Sequence, residues 1–174
     1  LHGGAGRRRR QSRLAPGSGK AAGGSRSISE FGPDGSLVPS GSRGQYFPIL
    51  QIEPRGTGEV MRGYDFYSNA INAETMRQAI TTGELSITPA VELKGPHDRG
   101  AVGVLAFVPV TYMPSGVTQR RYPEEFLIGL VAAVYPIGPF IESTLKLLQP
   151  AGGLDIYVVG ADEQGSERIL YFHP

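Results

Sequence analysis

The most apolar extended segment of the chain, AVGVLAFVPVTY at residues 101–112, places the strongest constraint on the fold. A continuous apolar and β-branched run of this length predicts a strand that is buried on both faces. We therefore place it at the centre of a sheet. A second apolar strand is predicted from Phe126 to Tyr135, after a loop rich in Pro, Gly, Ser and Arg.

Two segments have apolar residues at helical spacing. The first predicts a helix from about Ala70 to Thr82, with Asn69 or Asn72 as the N-cap and Gly83 at the C-terminal position that favours glycine. The second predicts an amphipathic helix over residues 137–148, whose first turn contains a proline.

Other segments predict strands: residues 46–54, two short pieces kinked at Pro89, and a closing hairpin made of residues 154–159 and 168–172. Too few helices intervene for an all-parallel, doubly wound sheet. The sequence therefore predicts an α+β fold, in which helices flank an antiparallel sheet.

Charge and glycine content separate the beginning of the chain from the rest. Residues 1–26 carry seven Arg or Lys and no acid, which leaves ten basic against sixteen acidic residues in the remainder. Residues 1–44 contain eleven Gly, so they predict a flexible leader ahead of one folded domain at residues 45–174. Two interpretations of the Arg run stay open: an arm that binds nucleic acid or another anionic partner, and a solvated tail.

The sequence contains no recognisable catalytic site. It has no Cys and three widely separated His, and no nucleophile, phosphate-loop or metalloprotease motif is present. An enzyme would have to bring together groups such as Asp65, Glu124 and His97 in one cleft. We therefore predict a non-enzymatic domain without a cofactor, and no apolar run is long enough for a transmembrane helix.

One acid lies among three aromatic residues just before the first helix. Asp65 is flanked by Tyr64 on one side and by Phe66 and Tyr67 on the other. These residues suit a helix cap with core aromatics. They also suit a pocket, in which the rings give flat apolar contact and the carboxylate accepts hydrogen bonds from an amine or ring nitrogen.

Six blocks, in this order, resemble the CHASE domain, the cyclase and histidine-kinase associated sensory extracellular domain. They are YFPILQIEP (46–54), RGYDFYSNA (62–70), ITTGELSITPAVEL (80–93), GVLAFVPVTY (103–112), GLVAAVYPIGPFIESTL (129–145) and LDIYVVGAD (154–162). The resemblance implies a PAS-like sheet with flanking helices and an extracytoplasmic location between two transmembrane helices. It also implies that a small-molecule ligand switches a cytoplasmic output domain, such as a histidine kinase or a nucleotide cyclase.

The resemblance also implies a set of ligand-binding residues. Asp65 falls where plant cytokinin receptors hold the adenine, Ile87 where they have an apolar wall, and Phe107 where they have a Thr. Because a phenyl ring removes a hydrogen bond and fills space, cytokinin itself is not expected. The expected ligand-binding residues are Tyr64, Asp65, Phe66, Tyr67, Ile87 and Phe107. Asp65→Ala is expected to weaken binding at least about tenfold with little change in melting temperature.

One part of the family pattern is missing. A stalk helix and a first strand are expected upstream of Tyr46, where this chain has its Gly- and Arg-rich leader. The expectation is therefore a fragment with an incomplete N-terminus, exposed apolar surface and possible homodimerisation, whose membrane helices lie outside this chain. The alternative is a soluble interaction domain whose basic arm binds nucleic acid or another anionic partner.

Overall fold

The structure, a computed structural model, describes residues 27–56, 58–95, 100–112, 126–148, 154–162 and 164–174. The predicted Arg-rich leader at residues 1–26 therefore lies outside the described residues. The elements of the described part, in chain order, are β1 (Ser29–Phe31), β2 (Leu37–Pro39), α1 (Ala70–Thr82), β3 (Ser86–Ile87), β4 (Val91–Glu92), β5 (Val102–Thr111), β6 (Leu127–Pro136), α2 (Ile137–Leu148), β7 (Ile156–Ala161) and β8 (Glu167–His173).

The central strand of the fold is β5. It pairs antiparallel with β6 along one edge, from Gly103 opposite Pro136 to Thr111 opposite Leu127. The short strands β3 and β4 pair antiparallel with the other edge, one after the other. The predictions of an α+β fold and of a central strand over residues 101–112 are both confirmed.

Burial of β5 is limited to its first half. Leu105 and Phe107 pack with the buried face of α1, whereas Val108 and Val110 are 38% and 39% exposed. The prediction of burial on both faces is therefore correct only around Leu105, Ala106 and Phe107, which are buried in succession, and it is wrong for the rest of the strand. The core cluster consists of Met76, Ala79, Val91, Leu93, Leu105 and Phe107.

Helix α1 begins and ends at the predicted residues because both of its caps are local. The Asn69 side chain accepts hydrogen bonds from the backbone N–H groups of Ile71 and Asn72, at 3.0 and 3.1 Å. Gly83 has a φ of 73°, and its N–H donates to a carbonyl of the last turn. Of the two predicted N-cap residues, Asn69 is the one that caps the helix.

The C-terminal part of the chain follows the prediction. Helix α2 starts directly after β6, and β7 and β8 form the predicted antiparallel hairpin. The Tyr171 hydroxyl donates a hydrogen bond to the Glu142 carboxylate, which joins β8 to α2. Strand β6 carries exposed apolar side chains, among them Ile128 and Val131, as expected of a sheet with an uncovered part. Neither of the described helices is long and apolar enough to cross a membrane.

Ordered structure begins before Gln45, which corrects the predicted boundary of the folded domain. Strands β1 and β2 form an antiparallel hairpin within residues 29–39. The hairpin is joined to the rest of the fold because the Ser29 N–H donates to the Gly63 carbonyl at 2.9 Å, and the Asp65 N–H donates to the Ser29 carbonyl at 2.8 Å. The flexible leader therefore cannot include residues 29–39.

The predicted strand at residues 46–54 is also wrong. Its middle part pairs with residues 63–66, through bonds such as that from the Ile49 N–H to the Tyr64 carbonyl, but it forms only an isolated bridge at Pro48. Two prolines, Pro48 and Pro54, lack the N–H that a strand ladder needs. The segment is nevertheless held next to Asp65, and this position matters for the site.

Candidate functional site

The carboxylate of Asp65 is the most deeply buried charged group of the described fold. The residue has no exposed surface. Its Oδ1 accepts hydrogen bonds from the Phe47 N–H at 2.7 Å and from the Tyr67 N–H at 3.1 Å. The second bond caps a short 3-10 helix, Phe66–Ser68, that leads into α1. The interpretation of Asp65 as a cap is thus confirmed, although the helix that it caps is not α1.

The other carboxylate oxygen of Asp65 is used differently. Oδ2 is buried and accepts no hydrogen bond from the described residues. Its nearest cation is Arg43, whose Nη1 lies 3.5 Å away. The guanidinium of Arg43 also forms an ion pair with Glu30 on β1. One cation therefore bridges two carboxylates, so the cluster has one net negative charge.

A chain of aromatic rings runs from this cluster into the core. The ring centroids of Phe31 and Tyr64 are 4.9 Å apart, and those of Tyr64 and Phe66 are 5.6 Å apart. Phe66 in turn meets Phe107 edge to face, with centroids 5.5 Å apart. Since aromatic pairs favour such tilted and edge-to-face contacts, the rings form a continuous packed connection between Phe31 and β5.

A small cavity lies beside the buried carboxylate. Its volume is about 160 Å³, which is room for roughly five water molecules or one small ring. Ring faces of Phe31 and Tyr64 form part of its wall, and the Lys94 ammonium lies 5.6 Å from the centroid of the Phe31 ring. The complete lining is Glu30, Phe31, Arg43, Tyr64, Ser68, Asn69 and Lys94.

A larger cavity of about 280 Å³ lies near Leu50 and Arg62. None of the predicted site residues lines it, and its residue Arg55 is paired with Glu53 across an exposed surface. The smaller cavity is the better candidate, because it has aromatic side chains in its wall and is lined by Arg43, whose guanidinium lies 3.5 Å from the buried Asp65 carboxylate.

Burial raises the pKa of the Tyr64 phenol, and the adjacent Asp65 carboxylate raises it further, while hydrogen bonding to the Ser68 side chain acts in the opposite direction. The phenol therefore stays protonated at neutral pH. A protonated hydroxyl can both donate and accept a hydrogen bond in the cavity wall.

The structure brings most of the predicted site residues together. Four of them lie next to one another in space: Tyr64, Asp65, Phe66 and Phe107. A fifth, Tyr67, packs on Phe47 with ring centroids 5.2 Å apart. Of the six predicted residues, Tyr64 alone lines the smaller cavity. Their role in ligand binding stays a prediction.

Ile87 lies apart from this group. It is 55% exposed on β3 and stands opposite Ala106, whereas its neighbour Ser86 stands opposite Phe107. Because successive side chains of a strand point to opposite faces, Ile87 faces away from Phe107. His97 and Glu124, which an enzyme would need, lie outside the described residues.

Glu30, Arg43 and Lys94 line the cavity but were not predicted from the sequence. The first two lie in the segment that was assigned to the leader, where Gly and Ser dominate the composition. Nothing local indicated that Arg43 would contact Asp65.

Two comparisons with known proteins bear on this site. A family model described as the CHASE domain matches residues 15–171. A hybrid signal transduction histidine kinase A from Dictyostelium discoideum is 26% identical over 143 residues. That alignment covers 78% of this chain and 6% of the kinase, so the chain corresponds to a small part of that protein. The family match also includes the β1–β2 hairpin, upstream of the boundary predicted at Gln45.

Proposed function

The chain belongs to the CHASE domain family, and from this premise we propose that it is the ligand-binding sensory domain of a membrane histidine kinase. CHASE domains are extracellular sensor domains of signalling proteins and are not catalytic. The kinase as the output domain is supported by the similarity to the Dictyostelium histidine kinase. A nucleotide cyclase is the alternative output.

The ligand site of this proposal is the small cavity beside Asp65. The observation that carries it is the buried Oδ2 atom, which has no hydrogen-bond donor among the described residues. A buried acceptor without a donor is costly and uncommon in folded proteins. A ligand N–H group placed at Oδ2 would supply the missing donor, while its ring would pack against Tyr64 and Phe31.

The proposed signal passes from the cavity through the packed rings to the sheet. Tyr64 contacts Phe66, and Phe66 contacts Phe107 on β5. Strand β5 pairs with β6, which continues directly into α2, and α2 is tied to the last strand by the bond from Tyr171 to Glu142. A ligand that binds more tightly to one packing of these rings would increase the population of that packing. The positions of α2 and β8 that go with this packing would then become more populated.

A screen followed by one substitution tests the binding site. Small nitrogen heterocycles are screened against the chain by ligand-observed NMR, and the affinity of a hit is measured by isothermal titration calorimetry. Asp65→Asn is expected to lower the affinity about tenfold or more, because the loss of a charge-assisted hydrogen bond costs about 1.5–3 kcal/mol. Glu53→Gln, at the larger cavity, is the control and should leave the affinity unchanged. Equal affinities of the wild type and Asp65→Asn would contradict the proposed site.

A further inference from the structure

Access to Asp65 depends on Arg43. Asp65 has no exposed surface, whereas the Arg43 side chain is 26% exposed and lines the cavity. The same guanidinium lies 3.5 Å from Oδ2. A ligand donor that approaches Oδ2 from the cavity must therefore take the place of the guanidinium.

Arg43 has a second partner that can hold it away from Asp65. Its guanidinium is hydrogen-bonded to Glu30, whereas its contact with Asp65 is ionic, since Oδ2 accepts no hydrogen bond within the part of the chain that the structure describes. The Arg43 backbone is fixed, because its N–H donates to the Tyr46 hydroxyl at 2.8 Å. The side chain can thus leave Asp65 and keep both its ion pair with Glu30 and its backbone anchor.

The charge of the cluster indicates the kind of ligand that would displace Arg43. Glu30 and Asp65 carry two negative charges against the one positive charge of Arg43. A ligand with one positive charge balances the cluster, and a planar amidinium or aminopyridinium group presents parallel N–H donors to a carboxylate. Lys94 adds a positive charge at the Phe31 side of the cavity, which would instead favour an anion. A binding experiment must therefore compare a cationic probe with an anionic one.

We infer that Arg43 is a built-in competitor for the ligand: in the free domain its guanidinium contacts both Asp65 and Glu30, and when a cationic planar ligand binds it leaves Asp65 and keeps its bond with Glu30. This inference rests on the proposed function, because it requires that Asp65 is the ligand-binding carboxylate. It makes Arg43 a residue that determines specificity and lowers affinity. Glu30 is then the residue that accepts Arg43 in the bound state.

The inference predicts effects of opposite sign for two substitutions. Without the guanidinium the binding-competent state is fully populated, so Arg43→Gln should bind benzamidine about tenfold more tightly than the wild type. Without the Glu30 carboxylate, Asp65 is the acidic partner that Arg43 keeps among the described residues, so Glu30→Gln should bind benzamidine about threefold more weakly. Loss of charge alone would change the benzamidine affinity with the same two signs. The competition therefore also requires that neutral benzamide, which offers an N–H donor without a charge, binds more tightly to Arg43→Gln than to the wild type.

Isothermal titration calorimetry on the full chain measures these affinities, with benzoate as the probe of equal size and opposite charge. Circular dichroism checks that each variant is folded. Arg62→Gln removes an exposed arginine at the larger cavity and is the matched control, with unchanged benzamidine affinity expected. The affinity for benzoate should not increase when Arg43 is replaced by Gln.

The competing outcomes separate this inference from the proposed function. If Asp65→Asn abolishes benzamidine binding while Arg43→Gln binds like the wild type, the ligand site stands and the competition is refuted. If benzoate binds and Arg43→Gln weakens it, Arg43 is a direct anion ligand and the inference is wrong. If neither the wild type nor any variant binds benzamidine at millimolar concentration, the inference of a cationic planar ligand fails, and the heterocycle screen with Asp65→Asn still decides the proposed site. If Arg43→Gln does not fold, the Glu30→Gln variant decides, because an unchanged or higher affinity there refutes the competition.

Discussion

Replacing Asp65 by Ala should destabilise the domain strongly. The substitution removes Oδ1, which accepts hydrogen bonds from the Phe47 and Tyr67 N–H groups at a site without solvent exposure. A buried donor without a partner costs about 1–3 kcal/mol, so the two together cost about 2–6 kcal/mol. The sequence led to the expectation that Asp65→Ala leaves the melting temperature nearly unchanged. The structure predicts instead that Asp65→Ala lowers the melting temperature.

Asp65→Asn should be milder because the amide oxygen can take the place of Oδ1. The two backbone N–H groups keep their acceptor, and the loss is the difference between charged and neutral hydrogen bonds, about 1–2 kcal/mol in total. Asp162→Ala is the matched control. Asp162 also accepts bonds from two backbone N–H groups, those of Gln164 and Ser166, but it does so in an exposed turn where water replaces it. Its loss should cost less than about 1 kcal/mol.

Urea denaturation of the full chain, followed by far-UV circular dichroism, gives the free energy of unfolding of each variant. The predicted order of destabilisation is Asp65→Ala, then Asp65→Asn, then Asp162→Ala, with at least about 1 kcal/mol between the first and the last. If Asp65→Ala and Asp162→Ala have the same free energy of unfolding, the buried carboxylate does not support the fold as described.

Three further predictions test other parts of the structure. Gly103→Ala would place a methyl group 2.5 Å from a leucine side chain and 2.8 Å from a backbone carbonyl, so it should lower the free energy of unfolding by about 1–3 kcal/mol. Gly129→Ala, which meets nothing within 4 Å, should be nearly neutral in the same urea titration. Asn69→Ala removes the N-cap of α1 and should cost about 1 kcal/mol, measured likewise. The bond from Tyr171 lowers the pKa of Glu142 and raises the pKa of Tyr171 to about 12. Its stabilisation should therefore be lost as the pH falls through the lowered carboxyl pKa, and again as the pH rises from 10 towards 12. Tyr171→Phe should remove both dependences in melting curves recorded across pH, and an unchanged pH profile would count against the bond.

Local signals were sufficient for the helices and the closing hairpin. Helix α1 has its N-cap at Asn69, its C-terminal glycine at Gly83 and its apolar residues at helical spacing, all within the segment itself. The β7–β8 hairpin likewise has its turn at Asp162, whose side chain accepts bonds from the turn backbone. Such elements depend little on the rest of the chain, so the sequence predicts them well.

Elements that depend on distant partners were not predictable in this way. Strands β1 and β2 have three residues each, and they are held in place by bonds such as that from the Asp65 N–H to the Ser29 carbonyl. A segment of glycine-rich composition gives no sign of such a bond. The ion pair of Arg43 with Asp65 is equally non-local, and the face of β3 on which Ile87 lies depends on its register with β5.

The two oxygens of Asp65 explain how one residue can support the fold and still be available for a ligand. Oδ1 is fully engaged by the backbone, and its removal affects folding. Oδ2 takes no part in these bonds, and its only described cationic neighbour, Arg43, has a second partner in Glu30. The Asn variant separates the backbone role from the ligand role that we propose, since it keeps an acceptor for the backbone and replaces the Oδ2 acceptor by a donor. Because Ser29, Glu30 and Arg43 all contribute to this arrangement, the folded unit extends upstream of Gln45.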